Sequence, residues 1–230
     1  MITLVSVIIP AYNEERTVGT VLRQLLALRL PPHIQMEIIV VNDGSDDCTA
    51  SVLNEFAGIK VVHQMENRGK GAAVREGLKH AAGEIVVIQD ADTEYEISDY
   101  PILLAPLLSG NADAVYGSRF LGSIKGMRLP NLIFNKFICL VVWILYQTKI
   151  TDEATAYKVM RTKIARSLDL KSDRFEICPE ITAKLIKRRI KIHEVPIHYT
   201  ARKKSEGKKI TWIDAIQAIS TLVRFRLWDR

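Results

Sequence analysis

Two aspartates, Asp90 and Asp92, lie one residue apart directly after the apolar run EIVVIQ. Residues i and i+2 of an extended segment point to the same side, so the two carboxylates are expected to lie close together. Close carboxylates repel each other unless a cation lies between them. Oxygen ligands suit Mg²⁺ or Mn²⁺, which usually keep positions for water and for substrate phosphates. The pair is therefore predicted to hold a metal-bound diphosphate, whereas the same pair in an isolated surface turn would simply be solvated.

The elements that must position this pair alternate between strands and helices. Continuous apolar runs predict buried strands over residues 5–9, 37–42 and 85–89, with shorter strands over 60–63 and 113–116. Amphipathic helices are predicted between them, because leucine and valine recur there at helical spacing. Together these elements indicate an α/β fold, with a Rossmann-like, mainly parallel sheet and helices on both of its faces.

Polar residues follow three of the predicted strands. Ligands of parallel sheets gather beyond the carboxyl ends of the strands, so these three clusters are expected to line one crevice. The clusters are Pro10-Ala11-Tyr12-Asn13-Glu14, Asn42-Asp43-Gly44-Ser45 and Asp90-Ala91-Asp92. The pattern G-x-G-x-x-G is missing after the first strand, which argues against a dinucleotide site of the usual kind.

The net charge of +6 is unevenly distributed along the chain. Residues 1–157 carry 13 basic and 18 acidic side chains, whereas residues 158–230 carry 19 and 8. A basic C-terminal third indicates an anionic partner (a nucleic acid, a phosphorylated substrate or an acidic membrane surface) or else a solvated basic face. Three cysteines without metal-like spacing, Cys48, Cys139 and Cys178, predict buried free thiols in a reducing compartment.

An apolar segment over residues 131–148 reads NLIFNKFICLVVWILYQT. Its uninterrupted part, residues 137–146, is shorter than the roughly 20 residues that cross a bilayer, so we expect a helix that does not span. An apolar helix of this kind packs in a core or lies in a membrane interface, and the pattern leaves both open. A second, amphipathic helix is predicted over residues 212–228.

Five motifs occur in order along the first half of the chain: SVIIPAYNEE, VNDGSDD, ENRGKGAA, QDADTE and GSRF. In order and spacing they resemble the family-two glycosyltransferases, which have the GT-A fold. The later segments TDEATAYKVMR, FEICPEITAKL, IHEVPIHY and RKKSEGKKI are similar to the branch that makes polyprenyl-phosphate sugars, such as the dolichyl-phosphate mannose synthases. The resemblance implies one catalytic domain over residues 1–230, with a nucleotide-binding half (1–120) and an acceptor-binding half (121–230).

The resemblance also implies roles for individual residues at the donor. The implied nucleotide-sugar contacts are Pro10, Ala11, Tyr12, Glu14, Val41, Asp43, Asp90, Ala91 and Asp92. The implied ligands of Mn²⁺ or Mg²⁺ are Asp90, Asp92 and Glu94. Arg202 and Lys208 match the basic pair of a loop that closes over the donor diphosphate, and Lys209 is not distinguished from Lys208.

Three further residues are implied on the acceptor side. Arg119 and Arg128 match basic residues that receive the acceptor phosphate, and Asp152 matches an aspartate proposed as a catalytic base.

Two donor-side motifs also have structural interpretations. Asp43 could be the N-cap of the following helix. The glycines of NRGKG, Gly69 and Gly71, are interpreted as allowing a helix and a loop to pack closely, rather than as a phosphate cradle.

The implied reaction moves a sugar, with inversion, from a nucleoside diphosphate to a polyprenyl or dolichyl phosphate. GDP-mannose is the first donor expected and UDP-glucose the second. The enzyme is expected to be peripheral or monotopic on the cytoplasmic side of a membrane, with no nucleic acid as partner. Rival hypotheses are a glycosyltransferase acting on a glycan hydroxyl, a nucleotidylyltransferase and a basic nucleic-acid-binding module. The first loop lacks the glycines of the second rival, and the acidic crevice is poorly suited to the third.

Overall fold

The computed structural model describes residues 2–202 and 212–228, with side chains of the last helix from residue 215 onward. The strands are β1 (Thr3–Ala11), β2 (Ile34–Asp43), β3 (Lys60–Gln64), β4 (Ile85–Ile88), β5 (Ala114–Lys125), β6 (Lys158–Arg161) and β7 (Ile192–Thr200). The helices are α1 (Val18–Ala27), α2 (Thr49–Leu53), α3 (Lys70–His80), α4 (Tyr100–Leu108), α5 (Leu129–Tyr146), α6 (Thr162–Ser167), α7 (Ile177–Lys187) and α8 (Trp212–Leu227).

The seven strands form one sheet in the order β3-β2-β1-β4-β6-β5-β7. Strands β1 to β4 pair in parallel, and β5 pairs in parallel with β7. Strand β6 runs antiparallel between β4 and β5. It was not predicted, because its four residues KVMR form no apolar run, and only its two neighbours define it as a strand. The predicted α/β fold with a mainly parallel sheet is confirmed.

Helices cover both faces of the sheet. Successive side chains of a strand point to opposite faces, and β1 shows this clearly. Val7 packs in a cluster that includes Leu22 of α1, while Ile8 packs in another that includes Val74 of α3 and Ile181 of α7. Because both faces are buried, the central strands read as continuous apolar runs, which is why the sequence revealed them.

The apolar segment forms α5, which begins and ends two residues earlier than predicted. On one side, Ile138 and Val142 are fully buried in a third apolar cluster, to which α7 and α8 also contribute. On the other side, Ile133, Phe137 and Ile144 are 58%, 48% and 58% exposed. The helix therefore combines the two arrangements that the sequence left open, a packed side and an exposed apolar side.

The length of α5 differs from the expectation that it is too short to span a bilayer. It has 18 residues and a mean hydropathy of 1.7, with 22% of the helix buried, and among the described residues it is the one helix that meets the length and composition of a membrane span. The polar residues that shortened the predicted run lie inside the helix. Asn135 is buried, and Lys136 Nζ lies 3.7 Å from the centre of the Phe120 ring.

The three cysteines are free thiols. Cys139 is buried and Cys178 is partly buried, but Cys48 is exposed, so the prediction of burial is wrong for Cys48. Cys48 lies in the turn before α2, where its backbone N–H donates to Glu15 Oε2, rather than on a helix face that packs against the sheet.

Candidate active site

The three polar clusters lie side by side because the strands that they follow are neighbours. β1 pairs in parallel with both β2 and β4, so the carboxyl ends of the three strands reach the same edge of the sheet. Direct contacts join the first two loops: Asn13 Nδ2 donates to Asp46 Oδ1 at 2.5 Å, and Glu14 N donates to Thr49 Oγ1 at 2.9 Å. The predicted convergence of these loops on one crevice is confirmed.

Arg202 follows β7 and joins the first loop to the third. Its Nη1 donates to Glu14 Oε2 at 3.1 Å, and its Nη2 donates to Asp92 Oδ2 at 2.8 Å. Its backbone N–H donates to Glu94 Oε1 at 2.7 Å. The guanidinium therefore places a positive charge between carboxylates from the ends of β1 and β4.

Asp90 has a second cation beside it. Lys70 Nζ, from the first residue of α3, lies 2.5 Å from Asp90 Oδ1. Burial alone would lower the pKa of Lys70, but the charge of Asp90 raises it above the ordinary lysine value. Lys70 was not among the predicted site residues. The signal that could have found it is the lysine of NRGKG at the start of a helix, next to the predicted nucleotide loops.

The carboxylate pair fits a divalent cation. Burial, followed by the charge of Asp90, raises the pKa of Asp92 to about 7, against the opposing effect of Arg202. A carboxylate whose pKa is raised in this way is stabilised in its ionised form by a nearby positive charge, which Arg202 supplies to Asp92 here. Among the described residues no three histidine, cysteine or acidic side chains converge as a complete ligand set. Two aspartates would leave the other positions of Mg²⁺ or Mn²⁺ to water and phosphate oxygens, as these ions usually require.

Glu94 is directed to β7 instead of joining Asp90 and Asp92. Its Oε2 accepts a hydrogen bond of 2.9 Å from the Tyr199 hydroxyl, and its backbone oxygen accepts one of 2.8 Å from Thr200 N. Its Oε1 accepts from Arg202 N, so both carboxylate oxygens bind the end of β7. The structure therefore does not bring the implied third metal ligand together with the other two.

Asp43 holds the NRGKG loop in place. Its Oδ1 accepts from Arg68 N at 2.9 Å, and its Oδ2 accepts from Gly69 N at 2.8 Å. Burial raises the pKa of Asp43, while these two hydrogen bonds lower it. The N-cap interpretation is wrong, because the residue before α2 is Cys48 and it makes no side-chain capping bond.

The glycines of this loop allow close packing, as interpreted from the sequence. A Cβ on Gly71 would lie 2.2 Å from the backbone oxygen of Ser172, and a Cβ on Gly69 would lie 2.5 Å from that of Asp173. Either contact is far shorter than side-chain packing permits. Helix α3 can therefore begin against the loop before α7 only because these two positions carry no side chain.

The remaining predicted nucleotide contacts differ in how far they reach the crevice. Tyr12 follows β1 directly and is partly buried, as is Pro10 within the strand. Ala11 and Ala91 are buried at the strand ends. Val41 is fully buried with Ile39 and Ala73, so its side chain does not line the crevice.

Arg119 and Asp152 form a buried ion pair on the acceptor side. Arg119 Nε and Nη2 donate to the two Asp152 oxygens at 2.7 Å each, and Arg119 N adds a bond of 2.9 Å to Oδ2. The two side chains are 6% and 0% exposed. A general base must touch the acceptor, so the predicted base role of Asp152 requires this ion pair to open.

Glu194 of β7 fixes the loop that carries Asp152. Its carboxylate accepts from the backbone N–H groups of Thr151 and Asp152 and from the Thr151 hydroxyl, over distances of 2.8–3.0 Å.

Arg128 is exposed at the residue before α5. The predicted roles of Lys208 and Lys209 fall on residues outside the described part of the chain.

The mainly parallel sheet, with acidic and basic side chains paired beyond its strand ends, is the arrangement of the GT-A class. The model of the family described as glycosyl transferase family 2 matches residues 6–169. The chain belongs to this family, as its motifs indicated.

Individual relatives extend the comparison beyond the family. A dolichyl-phosphate beta-glucosyltransferase of Trichomonas vaginalis is 30% identical over 98% of this chain and 74% of its own length. The dolichol-phosphate mannosyltransferase of Pyrococcus furiosus is 30% identical over 89% of this chain and 58% of its own. The chain thus resembles the polyprenyl-phosphate sugar synthases. Glucosyl-3-phosphoglycerate synthase from Mycobacterium tuberculosis, crystallised with Mn²⁺, uridine diphosphate and phosphoglyceric acid, shares the fold, with a TM-score of 0.75 at 21% identity over 98% of this chain and 79% of that one.

Proposed function

We propose that the chain transfers a hexose, with inversion, from a nucleotide sugar to a polyprenyl or dolichyl phosphate. The observation that carries the proposal is the bridge that Arg202 makes between Asp92 and Glu14, beside the pair of Lys70 and Asp90. Acidic and basic side chains alternate there at the carboxyl edge of a parallel sheet. Such an arrangement suits a diphosphate bound with a divalent cation, because carboxylates bind the metal and guanidinium groups bind phosphate oxygens.

On the donor side, Asp90 and Asp92 are proposed to hold Mn²⁺ or Mg²⁺. A divalent ion in this position offsets the charge that develops on a departing diphosphate. Arg202 already lies in the crevice and is proposed, with Lys208, to add to that stabilisation. The further nucleotide-sugar contacts proposed are Pro10, Ala11, Tyr12, Glu14, Asp43, Ala91 and Lys209, together with the backbone of Val41.

The arrangement of Asp152 supports an acceptor that is already ionised. Both of its oxygens accept from Arg119 and its side chain is fully buried, so a hydroxyl acceptor has no access to it while the pair is closed. A phosphate monoester has a second pKa of about 6 and is an anionic nucleophile near neutral pH without a base. Arg119, oriented by Asp152, and Arg128 are proposed to align that phosphate.

The acceptor's lipid tail requires access to a bilayer. The exposed apolar side of α5 and the basic C-terminal third of the chain together support binding at an anionic membrane surface. The packing of Ile138 and Val142 in a cluster shared with α7 and α8 supports a peripheral or monotopic position, which is proposed to be on the cytoplasmic side.

For the donor, mannose from GDP-mannose is the first hypothesis and glucose from UDP-glucose the second. The second is favoured by the Trichomonas vaginalis relative, which is named a beta-glucosyltransferase and matches this chain over 98% of its length. Both donors carry a nucleoside diphosphate, so the crevice described above serves either reaction.

The test is a transfer assay with purified protein, Mn²⁺, a polyprenyl phosphate and radiolabelled GDP-mannose or UDP-glucose. Label is expected to enter the organic phase with one of the two donors, and Asp92→Asn is expected to abolish the transfer. Asp169→Asn, at an exposed aspartate outside the crevice, is the matched control and is expected to be fully active. Transfer to a glycan hydroxyl, with none to the polyprenyl phosphate, would contradict the lipid acceptor.

A further inference from the structure

We infer that Tyr199 is a positioning residue that links the donor and acceptor sides of the crevice, an inference that rests on the proposed function. Tyr199 lies in β7 and is 3% exposed. Its hydroxyl and its ring contact different charged residues. One contact leads to the donor diphosphate and the other to the acceptor phosphate.

The hydroxyl serves the donor side. It donates a hydrogen bond of 2.9 Å to Glu94 Oε2, while Glu94 Oε1 accepts one of 2.7 Å from the backbone N–H of Arg202. The Arg202 guanidinium then reaches Asp92 at 2.8 Å. By fixing the Glu94 carboxylate, the hydroxyl fixes the backbone position from which Arg202 reaches the carboxylate pair.

The ring serves the acceptor side. The guanidinium carbon of Arg119 lies 5.1 Å from the centre of the Tyr199 ring, within the range of a cation–π contact. Asp152 holds the same guanidinium through Nε and Nη2. The carboxylate fixes where the guanidinium lies, and the ring face restricts how its plane can turn.

Neighbouring contacts hold Tyr199 in the position from which it makes both interactions. The Tyr95 ring packs against it at a centroid distance of 5.2 Å and an interplanar angle of 65°. A β-bridge joins the backbones of Tyr95 and Tyr199, and Thr200 N donates to Glu94 O at 2.8 Å. One side chain, held in place by Tyr95 and by the backbone contacts of β7, therefore makes both contacts.

Two substitutions separate the two contacts. Tyr199→Phe keeps the ring and removes the hydroxyl, so the donor KM is expected to rise about tenfold to a hundredfold, as for loss of a hydrogen bond to a charged group, with the acceptor KM within twofold of wild type. Tyr199→Leu removes both contacts, so the acceptor KM is also expected to rise, roughly tenfold. A residue with only a structural role would lower the active fraction, and hence kcat, without this split between the two KM values.

Tyr116→Phe is the matched control, because it removes a buried hydroxyl that lies 2.9 Å from Thr182 Oγ1 outside the crevice. Both KM values are expected to stay within twofold. The inference is overturned if Tyr199→Phe changes both KM values equally or changes neither, a result that does not depend on the Leu variant folding. Binding of the nucleoside diphosphate with Mn²⁺ can also be measured by calorimetry, which does not require sugar transfer. Equal nucleotide affinities of Tyr199→Phe and wild type would also overturn the inference. A wild-type protein that binds the nucleotide but transfers no sugar to polyprenyl phosphate contradicts the proposed function instead.

Discussion

Asp152 accepts three hydrogen bonds from Arg119, two from the guanidinium and one from the backbone, and its side chain is fully buried. Both carboxylate oxygens of Asp152 are occupied until the pair opens, whereas the side-chain bonds of Arg119 to Asp152 use only its Nε and Nη2. The loop that carries Asp152 is itself held by Glu194 from the edge strand β7. The pair therefore serves to hold a basic group in a fixed place, which is what alignment of an acceptor phosphate requires.

Breaking this pair is expected to cost much of the stability of the fold. Asp152→Ala leaves the Arg119 charge buried without its partner, and the free energy of unfolding is expected to fall by about 3–5 kcal/mol. Urea unfolding followed by circular dichroism measures it. Glu76→Ala is the control, since it breaks the partly exposed pair with Lys79 and is expected to cost about 0.5 kcal/mol or less. Equal losses in the two variants would contradict the buried-pair account.

The acid limb of the pH–rate profile is expected to come from the acceptor. Protonation of the acceptor phosphate below its second pKa of about 6 removes the better nucleophile, so kcat/KM for the acceptor is expected to fall as the pH falls through that value. The same limb is expected in Asp152→Asn, at a lower rate, when both proteins are assayed well below their unfolding temperatures. A profile in which the limb disappears in the variant would show that Asp152 is the base.

Gly71 is expected to tolerate no side chain. In Gly71→Ala the new Cβ would lie 2.2 Å from the Ser172 backbone oxygen, so α3 and the loop must move apart, at an expected cost of about 1–3 kcal/mol in unfolding free energy. Weaker nucleotide binding should accompany it, because the same loop donates to Asp43.

Gly19→Ala in α1 is the control for this substitution. Its Cβ would lie 3.3 Å from Val52 Cγ1, a tight contact that a shift of a few tenths of an ångström relieves, and alanine favours a helix over glycine by about 1 kcal/mol. The control is therefore expected to be about as stable as wild type. A Gly71→Ala variant of equal stability would contradict the close packing.

Membrane binding is expected to depend on the exposed side of α5. Wild-type protein should float with anionic liposomes at low salt, and Ile133→Ser combined with Ile144→Ser should lower the bound fraction about tenfold or more, because each isoleucine loses its apolar burial. Leu26→Ser, at an apolar residue of α1 that is 50% exposed, is the control and should float as wild type does. Wild-type protein that stays at the bottom of the gradient would remove the membrane claim.

The sheet and its crevice were predictable because their signals are local. Buried parallel strands are apolar throughout, and polar residues at their ends must converge once the strands are neighbours. Strand β6 had no such signal, since its pairing with β4 and β5 is set by residues far away in the chain. The polar residues Asn135 and Lys136 inside α5 are a similar case. They interrupt the apolar run in the sequence, but the packing of the folded chain accommodates them within the helix.

The partners of the site residues were less accessible to sequence reasoning. The resemblance marked Glu94 as a ligand and Asp152 as a base, yet each makes its contacts with a residue remote in sequence, Tyr199 and Arg119 respectively. Lys70 was not predicted as a site residue because its neighbouring glycines are enough to explain the NRGKG motif. Which side chains pair across the edge of the sheet depends on the order of the strands. The periodicity of a sequence predicts the strands but not their order.

The most direct test of the account is anomalous diffraction from crystals grown with Mn²⁺ and the donor nucleoside diphosphate. A manganese peak is expected in contact with carboxylate oxygens of Asp90 and Asp92 and with the diphosphate, and Arg202 is expected to have moved from Asp92 to the phosphate oxygens. A nucleotide bound in the crystal with no manganese at these aspartates, or bound away from the ends of β1, β2 and β4, would contradict it.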